Sequence, residues 1–422
     1  MKKNIWILNH YATDMFFDEG GRHYWLGKEL IKRGYQVTIF CANTVHKSDK
    51  IVKINSGICR EKEKEGLRFV FIKTNVYQGN GVPRVKNMLA YTINMLRLYR
   101  RYGKVNGKPD VIYASSVHPL ALYAGIKIAK YYHVKSISEI RDIWPLTLIE
   151  FGKIKRNNIV SKMMFWYEKK IYENTDELVF TMEGGERYIK EWKWDIEQGG
   201  KIDIRKVHYI NNGLILEDFL YYRNTFQIKD SNLEDKDVYK IVYTGTIAAA
   251  NRVSLIIDIA EYLQSKNLPI KFYIWGEGDD KIRLQERVRE SKINNVVFKE
   301  KVEKKYIPYI TSMSNLNIFV LEECKLYQYG LSLNKLFEYI AAQKPFLIAG
   351  AKVKCRLLAD NSLCTVCETS NIKEIAETII KCFQKNKDDG FQNIELNDDI
   401  LELCDFSRRT DDLIKVIERD RS

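Results

Sequence analysis

Residues 327–350 read YQYGLSLNKLFEYIAAQKPFLIAG. A Gly/Ser loop runs straight into a helical pattern with Lys335 in its first turn and Glu338 three residues on. Residues three apart share a helix face. A cation and a carboxylate so placed can serve one ligand, the cation its diphosphate and the carboxylate its ribose hydroxyls. The bland alternative is a surface ion pair, common at this spacing.

Three further loops have the same character. In IVYTGTIAAANRVSL a strand enters Gly245-Thr246 and a helix starts near Asn251-Arg252, a second anion-ready helix start. In FYIWGEGDDK a strand ends in Gly276-Glu277-Gly278. Near the N-terminus, Gly20-Gly21 stands just before a helix. Paired glycines expose backbone N–H groups and admit a phosphate; a plain strand–loop–helix turn reads the same way. Asp279-Asp280 opens a helix and is read as a capping pair rather than a metal-binding motif.

These loops need a scaffold, and the apolar runs supply one. Strands are predicted over 4–9, 36–41, 67–72, 110–114, 135–140, 177–181 and 207–210, with helices between most of them, as at 22–33, 119–132 and 158–173. A polar stretch over 211–240 reads as a linker. The alternation then restarts, with strands over 239–244, 270–275, 295–298, 317–320, 345–349 and 362–366. Helices follow over 253–266, 281–291, 304–313, 334–342, 372–385 and 407–419. Such alternation predicts parallel sheets covered by helices. The expected class is α/β, two Rossmann-like doubly wound domains facing a cleft. The first spans 1–212, completed by a C-terminal helix over 406–422, and the second 213–405.

The net charge of +13 is uneven: residues 1–230 carry an excess of +14 and the remainder −1. That asymmetry predicts an anionic partner for one domain. Residues 82–108 hold Arg84, Lys86, Arg97, Arg100, Arg101, Lys104 and Lys108 and no acid. Val85, Met88, Leu89, Thr92, Leu96 and Tyr99 recur there at helical spacing. A basic amphipathic helix reads as membrane-surface binding; a solvated helix packed on the sheet by that stripe is the alternative. The eight cysteines form no disulfide framework, which suits a reducing compartment. Cys364 and Cys367 make one CxxC without partners for a zinc site. MKKNIWILNH reads as a first strand rather than a signal peptide. The expected location is cytoplasmic, peripheral at the inner face of the plasma membrane.

The order TGTIxxxNR, WGEG and NKLFEYxAAxKP resembles the donor half of the retaining family-4 GT-B glycosyltransferases. EGGR, SSVHPLALYAG, EIRDIWP and INNG are similar to its branch for bacterial surface-polysaccharide assembly, which includes amino-sugar transferases. The resemblance spans nearly the whole chain and implies roles. Glu338 matches the glutamate that holds the ribose, and Lys335 with the N–H groups around Ser332–Asn334 matches the diphosphate cradle. Gly20 and Gly21 match the loop that closes on the donor. His118 matches a position near the sugar, and Arg141 and Asp142 the acceptor side, where Arg22 of EGGR is also placed. Gly330 stands where the family often has a glutamate. The usual diphosphate Arg and Lys fall on Thr246 and Asn251, with Arg252 next door, and Ala248 replaces a glycine.

The implied reaction transfers a hexose or N-acetylated amino sugar from a nucleotide donor, UDP by family weight, to a polyprenyl-diphosphate-linked glycan in capsule or O-antigen-type assembly. The resemblance implies retention of configuration. Fixed cations and helix starts can stabilise the leaving diphosphate. Lys335, Arg252 and His118 are the expected catalytic residues, with no metal and no cofactor beyond the nucleotide-sugar co-substrate. A GT-B-fold sugar-nucleotide epimerase is the alternative. A nucleic-acid-binding protein would explain the charge, but no recognition motif supports it and no nucleic-acid partner is expected.

Overall fold

The computed structural model describes residues 2–46, 48–77, 79, 81–116, 118–359, 362–388 and 398–420. Val117 of the SSVHP motif and the last two residues of the 406–422 segment lie outside these. The chain forms two compact units, residues 1–212 with 406–422, and residues 213–405.

The first unit is built on eight strands: β1 (Asn4–Leu8), β2 (Gln36–Ala42), β3 (Cys59–Lys64), β4 (Leu67–Ile72), β5 (Val111–Ser115), β6 (Lys135–Ile140), β7 (Glu177–Phe180) and β8 (Val207–Tyr209). Their order is β3-β4-β2-β1-β5-β6-β7-β8. Only β3 runs antiparallel, against β4. β1 pairs in parallel with both β2 and β5, Ile5 lying between Val37 and Val111. Strands covered on both faces read as continuous apolar runs, and Ile5, Trp6, Ile7 and Leu8 are all buried. The chain reverses direction across the sheet between β1 and β5, the switch point at which open α/β sheets bind ligands.

Four helices of this unit matter below: α1 (Arg22–Lys32), α2 (Val82–Asn106), α3 (Pro119–Tyr132) and α4 (Ile159–Asn174). The second unit carries β9 (Tyr239–Thr244), β10 (Ile270–Trp275), β11 (Val296–Lys299), β12 (Leu316–Val320), β13 (Phe346–Ala349) and β14 (Cys364–Cys367). They form a parallel sheet ordered β11-β10-β9-β12-β13-β14, with its switch point between β9 and β12. Its relevant helices are α5 (Val253–Gln264) and α6 (Asn334–Ala341). The last helix, α7 (Phe406–Glu418), belongs to the first unit. The fold is therefore the expected pair of doubly wound α/β sheets.

Three expectations about elements need correction. The first concerns β3, which was not expected: CREKEK is almost wholly charged, as suits an exposed sheet edge. The turn into β4 uses Glu65 and Gly66, both at positive φ, the geometry of a two-residue hairpin. Second, residues 211–240 are not a bare linker, because they contain a helix at Leu216–Thr225 that buries Phe219. Cys364 and Cys367, read as a CxxC without partners for a zinc site, sit three apart on β14 and point to opposite faces of the strand. Third, α2 packs by only half of the stripe expected, Thr92 and Tyr99 being buried together with Met88. Met88, Tyr91, Met95, Leu98 and Tyr102 are buried, while Val85 and Leu89 are exposed. No helix among the described residues is long and apolar enough to cross a membrane.

Candidate functional site

In the second unit the loops found in the sequence gather at the end of β9. Gly245, at φ +140°, lies where a Cβ would come within 2.5 Å of Lys335 Cε, so only glycine lets Lys335 fold over this loop. Lys335 Nζ lies 4.1 Å from the centroid of the Tyr243 ring and donates to its hydroxyl at 2.8 Å. The Tyr243 hydroxyl in turn donates to Thr246 O at 2.8 Å, which Asn251 Nδ2 also reaches at 2.8 Å. Gly276 packs on the same loop: a Cβ there would collide with Gly245 O, and Gly278 stands likewise against Ile247 O. The two glycine turns thus support each other and present Thr246 to solvent.

α6 brings Lys335 and Glu338 to this point. Its N-cap, Leu333, supplies no capping side chain. The helix is tied down through Tyr339, whose hydroxyl accepts from Thr244 N on β9 at 3.4 Å and donates to Ile318 O on β12 at 3.3 Å. Ser332 is half-buried and Asn334 exposed at the helix start. Burial pulls the Lys335 ammonium down to about 8, with Glu338 opposing the shift. Burial also raises the Glu338 carboxyl, against Lys335 and Lys304. Both charges therefore sit in a recess that disfavours them when empty and rewards a ligand that compensates them.

Arg252 starts α5 from a left-handed conformation, φ 47°. Its side chain runs to the end of β12, donating to Ser370 Oγ at 2.8 Å and to Leu321 O at 3.3 Å, with Glu322 at 3.4 Å. Lys335 and Arg252 thus flank the switch point, Lys335 from β9 and Arg252 from β12.

In the first unit the switch point holds a pair of buried histidines. His118 leads into α3, and its Nε2 lies 2.7 Å from Nδ1 of His10, which follows β1. His10 Nε2 lies 2.6 Å from Asn87 Oδ1 on α2. Asn87 Nδ2 donates to Thr44 Oγ1 and Asn75 O, which fixes its amide orientation. His10 therefore donates from Nε2 and accepts at Nδ1, and His118 donates from Nε2. Burial pushes His10 down to about 3 and lowers His118 as well, so both are neutral. His118 is left with a bare Nδ1, buried and without a hydrogen-bond partner among the described residues. His10 is stacked between Tyr11 and Tyr91, with ring centroids at 4.4 and 4.7 Å. Neither His10 nor Asn87 was singled out from the sequence; the available signal was a histidine just past the first strand.

Arg22 and Arg84 are corrections. Arg22 was expected on the acceptor side but is buried. Its Nε donates to Glu139 at 2.6 Å, Nη1 to Asn211 O at 2.6 Å, and Nη2 to Ile210 O at 2.9 Å. Glu139 also takes His23 at 3.0 Å, Ser115 at 2.6 Å and the Tyr113 hydroxyl. Burial opposes ionisation of Glu139, yet Arg22 and His23 hold it well below the usual carboxylate range. This network locks EGGR, EIRDIWP and INNG to one another. Arg84 was expected at a membrane but donates to the Tyr11 hydroxyl at 2.9 Å, beside the histidine pair. Lys86, Arg97, Arg100, Arg101 and Lys104 are exposed. Arg141 is half-buried, its backbone N donating to Ser116 Oγ at 3.0 Å. Asp142 is open to solvent yet lies in a recess dense with protein, and burial there raises its carboxyl against Arg141 and Arg84. Gly21, at φ +105°, caps α1, with Gly20 half-buried before it.

The comparisons with known proteins agree with this architecture. Residues 24–217 match the model of Glycosyltransferase Family 4, and residues 224–392 that of Glycosyl transferases group 1. A search of curated proteins gives no match. Among solved structures, sucrose-phosphate synthase from Thermosynechococcus elongatus is 14% identical, with 97% of this chain and 94% of that chain covered and a TM-score of 0.64. Anabaena HepE in complex with UDP and glucose is 10% identical over 99% and 100%, with a TM-score of 0.62. A trehalose-6-phosphate structure from E. coli, bound with UDP-2-fluoro glucose, is 10% identical over 99% and 100%, with a TM-score of 0.68. With two glycosyltransferase models matching successive stretches, residues 24–217 and 224–392, and a fold shared with GT-B enzymes, the chain is a glycosyltransferase of the GT-B fold.

Proposed function

We propose that this glycosyltransferase moves a hexose or N-acetylated amino sugar from a UDP-linked donor to a lipid-linked glycan, at the inner face of the plasma membrane, in surface-polysaccharide assembly. The observation that carries the donor half is the Lys335 ammonium on the Gly245-Thr246 loop, with Glu338 one turn further along the same helix. Breaking the anomeric C–O bond leaves an oxocarbenium-like sugar and a nucleoside diphosphate trianion, its terminal phosphate taking the bonding pair. Lys335, Arg252 and the start of α6 are suited to that trianion, and preorganised charges of this kind lower the barrier. Glu338 takes the ribose hydroxyls. His118 Nδ1 offers an acceptor for a sugar hydroxyl. The sugar keeps its anomeric configuration, and no metal is needed where side chains carry the charge. HepE and the E. coli neighbour, with UDP and a UDP-sugar in their structures, support a UDP donor.

The test is a thermal-shift panel of nucleoside diphosphates and their sugars, since a ligand of the native state raises apparent stability. UDP and one UDP-sugar are expected to raise the midpoint. UDP release from that sugar should then require a lipid-linked acceptor. Turnover without any acceptor, with the sugar epimerised, would replace transfer by epimerisation.

A further inference from the structure

We propose that the cavity between α3 and α4 in the first unit binds the hydrocarbon chain of a membrane-borne lipid with a phosphate head, entered across the exposed apolar face of α4. The proposal rests on reading the acceptor as lipid-linked. The cavity holds about 350 Å³, within the roughly 300–1,000 Å³ of small-molecule pockets. Leu122, Ile140, Trp144, Val160, Met163 and Trp166 form its walls, and Ser116 and Asp142 stand at its polar end.

Three observations point to a lipid. First, the same helix both walls the cavity and faces solvent with apolar side chains. Ile159 is 75% exposed, Met163 64% and Trp166 62%. They fall at i, i+4 and i+7, on one side of α4, while Phe165, Ile171 and Tyr172 pack inward. Single exposed apolar residues are ordinary, but a contiguous set marks a contact surface. Tryptophan is favoured where an apolar medium meets a wet one. Second, the chain leading into and along the patch carries charge of one sign. Lys153, Lys155, Arg156 and Lys162 are exposed on this stretch, and between Glu150 and Glu168 there is no acid. Third, the floor is uncharged. Glu168 is buried, accepts from the Tyr172 and Tyr188 hydroxyls at 2.7 and 2.8 Å, and is pushed up to about 8 by burial. An apolar slot, an apolar approach and a basic flanking stretch together fit an amphiphile with an anionic head.

Farnesyl phosphate is the probe for the cavity and phosphatidylcholine–phosphatidylglycerol vesicles the probe for the approach. Val160→Trp fills the mouth from a half-exposed position, and Trp166→Ser removes the exposed ring. Wild type is expected to bind farnesyl phosphate by calorimetry, while inorganic phosphate does not compete. Val160→Trp should weaken that binding by about tenfold or more, and Trp166→Ser should weaken vesicle co-sedimentation by a similar factor. The UDP-induced thermal shift should survive in both, reporting an intact fold. Farnesyl phosphate affinity unchanged in Val160→Trp overturns the site. So does a Trp166→Ser variant that binds vesicles normally but loses a concentration-dependent dimer, because the face then belongs to a second copy. Failure of the acceptor reading is separate. Farnesyl phosphate binding that Val160→Trp abolishes, in an enzyme that glycosylates only water-soluble acceptors, supports the site while removing the lipid-linked substrate.

Discussion

Lys335 carries a charge that its surroundings only half support. Burial lowers it to about 8, so in the empty protein the ammonium begins to lose its proton just above neutrality. A bound diphosphate restores the charge and raises that value. Below about 8 the cation is present before binding; above it, a proton must be taken up. UDP affinity is therefore expected to fall as pH rises past about 8, by at most about tenfold per unit. Lys335→Arg stays charged throughout and should flatten that slope, though its wide fork should recover only part of the turnover. Calorimetric titration of UDP across this range checks both, and a wild-type affinity that ignores pH would remove Lys335 from the diphosphate site. Glu338→Ala should cost about 1.5–3 kcal/mol of nucleotide binding, the range for hydrogen bonds to a charged group. A folded variant with unchanged UDP affinity sinks that assignment. These two residues were legible because they lie three apart on one short helix. His10 and Asn87 were not, since 77 positions separate them and only the strand order brings them together. Arg22 misled for the same reason. Its neighbours Gly20 and Gly21 suggested a ligand, but its partner Glu139 stands 117 residues away.

At the scale of elements, burial decides what a sequence shows. Strands such as β1 and β10 are covered on both faces, so they stand out as apolar runs. β3 is an edge and carries charge where an interior strand carries valine. The helix at Leu216–Thr225 was hidden because Phe219 is the one residue it buries. The most instructive element is α2. Its apolar spacing suggested a lipid-facing stripe, yet half of that stripe packs on the sheet and Arg84 turns toward the histidine pair. What remains outward is Val82, Val85, Leu89 and Ile93 with a cluster of cations. We expect those cations to add to binding of anionic vesicles, at about 1 kcal/mol each. The effect should fade with salt over a screening length of roughly 8 Å. Changing Arg97, Arg100, Arg101 and Lys104 together to Gln should weaken co-sedimentation and leave the UDP thermal shift intact. If the quadruple variant binds vesicles as wild type does at low salt, α2 is a solvated helix and the membrane contact lies elsewhere.

The whole molecule divides its labour between units that the chain does not visit in simple order. Every residue proposed for nucleotide binding other than Gly20 and Gly21 lies within 213–405, whereas the last helix returns to the first unit. α7 packs against α1 with Phe406, Leu413, Val416 and Ile417 buried. Its end is fastened by the buried Lys135, which donates to Val416 O at 2.9 Å and Ile417 O at 3.2 Å, and by Lys3, which reaches Ile417 O at 3.0 Å. Cations at a helix C-terminus satisfy carbonyls that have no partner within the helix. Arg33 and Tyr35 add bonds to Asp411 and Glu418. Four buried apolar side chains at about 1.5–3 kcal/mol each are comparable with the whole stability of a typical domain, roughly 5–15 kcal/mol. Deleting residues 406–422 should therefore unfold the first unit while the second stays intact, because the second unit ends at Asp405 and keeps its own core. Limited proteolysis should then remove residues 1–212 and leave a resistant fragment that still binds UDP, with transfer lost. A deletion variant whose first unit resists protease as wild type does would show that α7 is an ornament on that unit rather than part of its core.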